Sequence, residues 1–168
     1  MVEDMGMKTI HRLSTVVALA LAACSNMGRP AVTPEPPAVT GVSTSGLELG
    51  VELHVANPNP FPLVANELKG TLLLEEKKEV GTASVALDQP IEAEGTGTVQ
   101  SRLDIPWNSL GNLRQFVTKA EVPFTFKGEL GVSGGPLRVS VPFELRGYLT
   151  REQLAVVGGS VLAPLIGN

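Results

Sequence analysis

Two side chains in this 168-residue chain stand out for their chemistry: the thiol of Cys24, its single cysteine, and the imidazole of His54, one of two histidines. A lone thiol closes no intrachain disulfide and builds no cysteine-rich metal centre. His54 falls on an outward position of an alternating segment and reads as a solvated side chain; a metal site there needs two or three further converging ligands. Glu48, Glu52, Glu67, Glu75 and Glu76 are also outward. They offer an acidic face for cations or, more simply, a soluble surface. Gly95-Thr96-Gly97 has neither the lysine nor the helix of a phosphate loop, and no Gly-x-Ser-x-Gly occurs. Without a nucleophile–histidine dyad, nucleophilic catalysis has no carrier. We therefore expect no catalytic, cofactor-binding or metal-binding residue, no small-molecule substrate and no enzyme.

Composition narrows the class. Thirteen basic residues against 17 acidic give a net charge of −4, whereas nucleic-acid binding needs a basic face to neutralise phosphates. At 43% hydrophobic and 18% charged residues, the chain is too apolar to stay disordered. Eighteen glycines and 13 prolines favour turns and strands over long helices, and the length suits one domain.

The elements that position these residues begin with an address. Lys8 and Arg12 precede a nearly unbroken apolar run from Leu13 to Ala23. That is the pattern of a secretory signal, and it is shorter than the roughly 20 residues a spanning helix needs. Glu3 and Asp4 are out of place in a signal head, so Met7 competes with Met1 as the true start. The run ends Leu21-Ala22-Ala23-Cys24, which resembles the bacterial lipobox. The resemblance implies cleavage after residue 23, diacylglycerol on the Cys24 sulfur and a bacterial envelope location. Ser25 next to the cysteine implies the periplasmic face of the outer membrane. Two or more acyl chains hold firmly where one holds weakly.

Residues 24–40 carry Pro30, Pro34, Pro36 and Pro37 and read as an extended, semi-rigid spacer reaching at most about 50 Å. From Gly46 a period-two pattern takes over. Leu47, Leu49, Val51, Leu53 and Val55 share one face, and Leu68, Leu72 and Leu74 share another. Ala83, Val85 and Leu87, then Val99, Leu103 and Ile105, continue the alternation, with an exposed turn at 76–79. Val122, Phe124, Phe126, Leu130 and Val132 precede Leu137, Val139, Val141, Phe143 and Leu145, with a hairpin turn at Ser133-Gly134-Gly135-Pro136. Trp107, Leu110, Leu113, Phe116 and Val117 recur at helical spacing. Pro142 marks its strand as an edge. One-sided alternation with one short helix insert predicts an all-β, antiparallel β-sandwich over residues 41–149; a soluble ligand-binding barrel is the alternative. In the apolar tail, 150–168, Thr150 is placed to cap a short helix from Arg151. The tail either packs on the sandwich or contacts a partner or membrane surface.

Between the first two main strands lies Asn57-Pro58-Asn59-Pro60-Phe61-Pro62-Leu63. Its prolines end the strand by removing donors, and both asparagines suit Asx turns. Phe61 or Leu63 is placed to plug the core. This triplet, with the strand order and helix position around it, resembles the water stress and hypersensitive response (WHy) domain of the group 2 late embryogenesis abundant family. The resemblance implies an immunoglobulin- or fibronectin-III-like sandwich, no known catalytic residues and a link to desiccation. The resulting expectation is a non-enzymatic lipoprotein that protects membrane or client proteins. The alternative is an envelope adaptor that pairs a sheet edge with a protein partner.

Overall fold

A computed structural model describes the backbone of residues 27–162 and the side chains of 27–158. The expected signal, Cys24 and the last six residues lie outside that range. Strands β1 (Ala31–Pro34), β2 (Ala38–Val42), β3 (Gly46–Ala56), β4 (Leu63–Leu74), β5 (Lys78–Ile91), β6 (Thr96–Pro106), β7 (Glu121–Gly134) and β8 (Leu137–Thr150) precede helix α1 (Arg151–Leu162). They form two antiparallel sheets. In one, β3 pairs with β6 on one side and with β1 and β2 on the other; the second runs β5-β4-β7-β8. The all-β sandwich is therefore as expected, with Pro142 on an edge strand. The inner faces carry the predicted residues, with Leu49, Leu53, Leu68, Leu72, Phe126 and Leu130 fully buried.

Two irregularities keep the inner faces apolar. Asn66 is skipped in the registers of β4 with both β5 and β7. This bulge lets odd-numbered Leu63 and Ala65 and even-numbered Leu68, Leu72 and Leu74 all point inward. A second shift, at Val80, does the same for β5, which runs beyond the alternating Ala83, Val85 and Leu87 in both directions. Across β4, β7 and β8 the inner face has a glycine under each of three phenylalanine rings: Gly70 under Phe126, Gly128 under Phe143, Gly147 under Phe124. A side chain at any of these positions would meet ring atoms at 2.3–2.6 Å.

The expected spacer is corrected. Residues 31–42 form a two-part strap on β3, with Ala31–Pro34 opposite Leu53–Ala56 and Ala38–Val42 opposite Leu47–Gly50. Pro30 is buried, and Val32, Val39 and Val42 pack on the core. Strap pairing satisfies the open backbone groups of β3, which its prolines alone do not forbid because they sit at strand ends and at the Glu35-Pro36-Pro37 break. The helix insert is present at the expected position but short. It is a single 3₁₀ turn, Leu110–Leu113, followed by i→i+3 bonds from Phe116 to Leu113 and from Lys119 to Phe116. Leu110, Leu113 and Phe116 are three apart, the spacing that a 3₁₀ helix rather than an α-helix puts on one face.

The α-helix is the tail. Thr150 and Gln153 form a reciprocal capping box: the Thr150 N–H donates to Gln153 Oε1 (2.8 Å) and the Gln153 N–H to Thr150 Oγ1 (3.4 Å). Leu154 and Val157 are fully buried, so the start of the tail packs on the sandwich. Glu152 accepts bonds from its own N–H and from Thr150, which hold its carboxyl below the ordinary range. That contribution is present above the usual carboxylate pKa and is lost as pH falls through the lowered one. Thr150→Ala should cost about 1 kcal/mol and move the Glu152 pKa upward, read by thermal melting and by carboxyl NMR titration.

The β4–β5 turn is tighter than the expected 76–79: Lys77 N–H bonds Leu74 O, and Glu75 and Glu76 occupy its two central positions at φ +51° and +60°. Two positive-φ residues make this a type I′ geometry, which favours Asn-Gly. Lys119 pairs with Glu75, and Arg146 lies 3.8 Å from Glu76; both pairs are exposed and weak. Glu76→Gly should therefore stabilise the domain by about 1 kcal/mol, seen as a raised denaturation midpoint.

Candidate functional site

The Asn-Pro-Asn triplet sits where β3 leaves its sheet, and both asparagines are buried at 0–2% exposure between exposed prolines. Proline at 58, 60 and 62 blocks any continuation of the ladder. The Asn57 side chain then supplies the missing bonds. Its Nδ2 donates to Phe61 O and Glu92 O, both at 2.9 Å. Its Oδ1 accepts from the Asn59 N–H and from Asn59 Nδ2, both at 3.0 Å. All four hydrogen-bonding positions of this amide are used. The backbone joins in, with the Asn57 N–H donating to Gly95 O and the Glu94 N–H to Asn59 O. Asn57 thus closes the expected Asx turn, and it also ties the β5–β6 loop to the corner.

Asn59 does something else. Its Oδ1 accepts from the Gly28 N–H and its Nδ2 donates to Gly28 O, both at 2.9 Å. This two-bond amide clasp imitates a strand neighbour and fixes the point where the strap enters the domain. Leu63, fully buried, is the core plug; Phe61 is half-buried with its ring over Gly135. Gly135 has φ +51° and is followed by Pro136, so the β7–β8 turn is of the II′ kind, with only its first central residue left-handed.

The other residues singled out by chemistry are scattered. Exposed His54 lies 3.2 Å from Thr98 Oγ1 and 3.1 Å from Glu35 on the strap. Glu48 and Glu52 lie on the strap-bearing sheet beside Arg102 and Gln100. Glu67 is on the opposite sheet with Ser84 and Lys69. The acidic face weighed from sequence is thus divided between two sheets and partnered on each. Among the described residues, no three His, Cys, Asp or Glu side chains converge as metal ligands.

Polar side chains also occupy the open strand edges, which sequence reasoning missed. Gln89 of β5 clasps β6 across the sandwich: its Nε2 donates to Gln100 O (2.8 Å), and its Oε1 accepts from the Gln100 N–H (3.1 Å). On the opposite seam the Arg29 guanidinium donates to Ser140 O of β8 at 3.0 Å. Pro142, on the same strand, lacks the donor that edge pairing would use.

The described residues thus form an antiparallel sandwich cornered by a buried Asn-Pro-Asn knot, with their ionisable side chains outside the core. The chain belongs to the late embryogenesis abundant protein family, whose model matches residues 52–147. That stretch includes the corner and excludes Cys24, the strap and α1. A protein from Archaeoglobus fulgidus shares the fold, with TM-score 0.50 and 12% identity over 73% of this chain and 95% of the other. So does an Arabidopsis thaliana protein solved in solution, with TM-score 0.56 and 12% identity over 75% and 86%. No curated protein sequence matches the chain.

Proposed function

We propose that this protein is a non-enzymatic, WHy-type late embryogenesis abundant lipoprotein. It is anchored through Cys24 to the periplasmic face of a bacterial outer membrane and shields membrane and client proteins when water is scarce. The observation that carries this reading is the fate of the family motif: Asn57 and Asn59 are consumed in bonds within the fold, so the working surface is the broad polar exterior of the sheets. Lipidation supplies high local concentration at the bilayer. The clasps at Gln100 and Ser140 support contact through sheet faces over a β-edge adaptor.

Two experiments test it. Radiolabelled palmitate should enter the wild type and not Cys24→Ser, which should be released from membranes or keep its signal; label persisting in the variant removes the anchor. Purified domain should preserve the activity of several unrelated enzymes through drying, in proportion to its mass and without saturation. A single stoichiometric partner recovered by crosslinking in cells, with no protection on drying, overturns the protective role in favour of the adaptor.

A further inference from the structure

We infer that the corner end of the sandwich, and not α1 at the other end, is its lipid-facing surface, and that the Asn59–Gly28 clasp sets this orientation. The inference rests on the proposed acylation of Cys24 and adds a direction to it. An extended spacer over residues 25–40 would let the domain turn freely at most about 50 Å out. Instead the strap is folded from Gly28 onward, clasped by Asn59 and laid along β3. Three residues, and so four Cα–Cα steps, separate Gly28 from Cys24, and a fully extended chain covers at most about 14 Å over them.

Gly28 sits at one pole of the molecule. The Asn57–Asn59 corner, Glu92–Gly95 and Gly134–Gly135 share that pole, joined by bonds from Asn57 to Gly95 O and to Glu92 O and by the Phe61 ring over Gly135. The Glu75–Glu76 turn, the 3₁₀ insert and α1 lie at the opposite ends of the same strands. The 11 residues of β3 separate the poles by about 35 Å, well over twice the leash. An acylated Cys24 therefore holds Pro58, Pro60 and Ala93, all exposed, against the headgroup layer, while the pole bearing α1 is the one free to face outward.

The test uses full-length lipidated protein in phosphatidylethanolamine–phosphatidylglycerol vesicles with a headgroup-borne quencher. A fluorophore is attached through Ala93→Cys or, at the far pole, through Lys77→Cys, the native thiol being acylated. Vesicle flotation reads the anchor separately from orientation. With protein that floats, emission at Ala93 should be lost and emission at Lys77 retained. Inserting a ten-residue Gly-Ser segment after Asn26 should restore emission at Ala93. Equal quenching at both sites, or quenching at Ala93 that survives the insertion, overturns the inference while leaving the anchor intact; protein that fails to float removes the anchor and the inference together. The clasp has its own readout in soluble Cys24→Ser protein: the Gly28 amide should resist hydrogen exchange and lose that protection in Asn59→Ala. A Gly28 amide that exchanges freely in the parent overturns the inference whatever the lipid.

Discussion

Asn57→Ala should destabilise the domain by about 3 kcal/mol, several times a surface substitution. Turn geometry alone suggests about 1 kcal/mol, the net worth of one hydrogen bond. The larger figure follows from what is left behind. Alanine deprives Phe61 O, Glu92 O, the Asn59 N–H and Asn59 Nδ2 of their partner at once. Two of these belong to the fully buried Asn59, and an unsatisfied buried group costs about 1–3 kcal/mol. Water reaching the rim at Phe61 and Glu92 limits the total. Asn57→Asp should be similarly costly, because it keeps the acceptor but loses both donations and buries a charge. Urea denaturation of each variant checks this. A loss of 1 kcal/mol or less for Asn57→Ala would mean that the amide only shapes the turn.

Gly128→Val should cost about 3 kcal/mol or more and yield little folded protein. A Cβ at this position would sit 2.3 Å from Phe143 Cζ and 2.7 Å from both neighbouring ring carbons. The ring cannot simply step aside, since it packs on Phe126 with centroids 6.3 Å apart, and Phe126 in turn covers Gly70. Overpacking of this kind costs about 1–3 kcal/mol even for modest added volume. Gly128→Ala isolates the clash. In a Phe143→Ala background the extra methyl enters vacated space, so its penalty should fall by at least about 1 kcal/mol. Equal penalties in the two backgrounds would place the cost in backbone preference instead.

The sequence disclosed what is local and regular. Leu47 to Val55 alternate without interruption, and the strand they predict runs through them unbroken. Where alternation falters, the cause lies across the sheet. Position 70, between Leu68 and Leu72, and position 128, between Phe126 and Leu130, hold glycines because a neighbouring strand's ring fills their space. The register jump at Asn66 was hidden because one bulge serves two partners. The strap reads as spacer because its short, proline-bounded strands have little pattern of their own and gain stability from the edge of β3, whose paired residues lie well beyond a local window for β1 and across a tight return at 43–45 for β2. At the corner the Asx turn of Asn57 was legible, being two residues wide. The bonds from Asn57 to Glu92 and from Asn59 to Gly28 span 35 and 31 residues, and no spacing rule reaches that far.

The Gln89 amide seated on the main chain of Gln100 has a consequence at high concentration. Evaporation drives solutes toward millimolar crowding, where bare strand borders template fibrils. Here a side chain supplies the donor and acceptor that an incoming chain would bring. At Gln100, therefore, an approaching strand finds both main-chain groups already bonded.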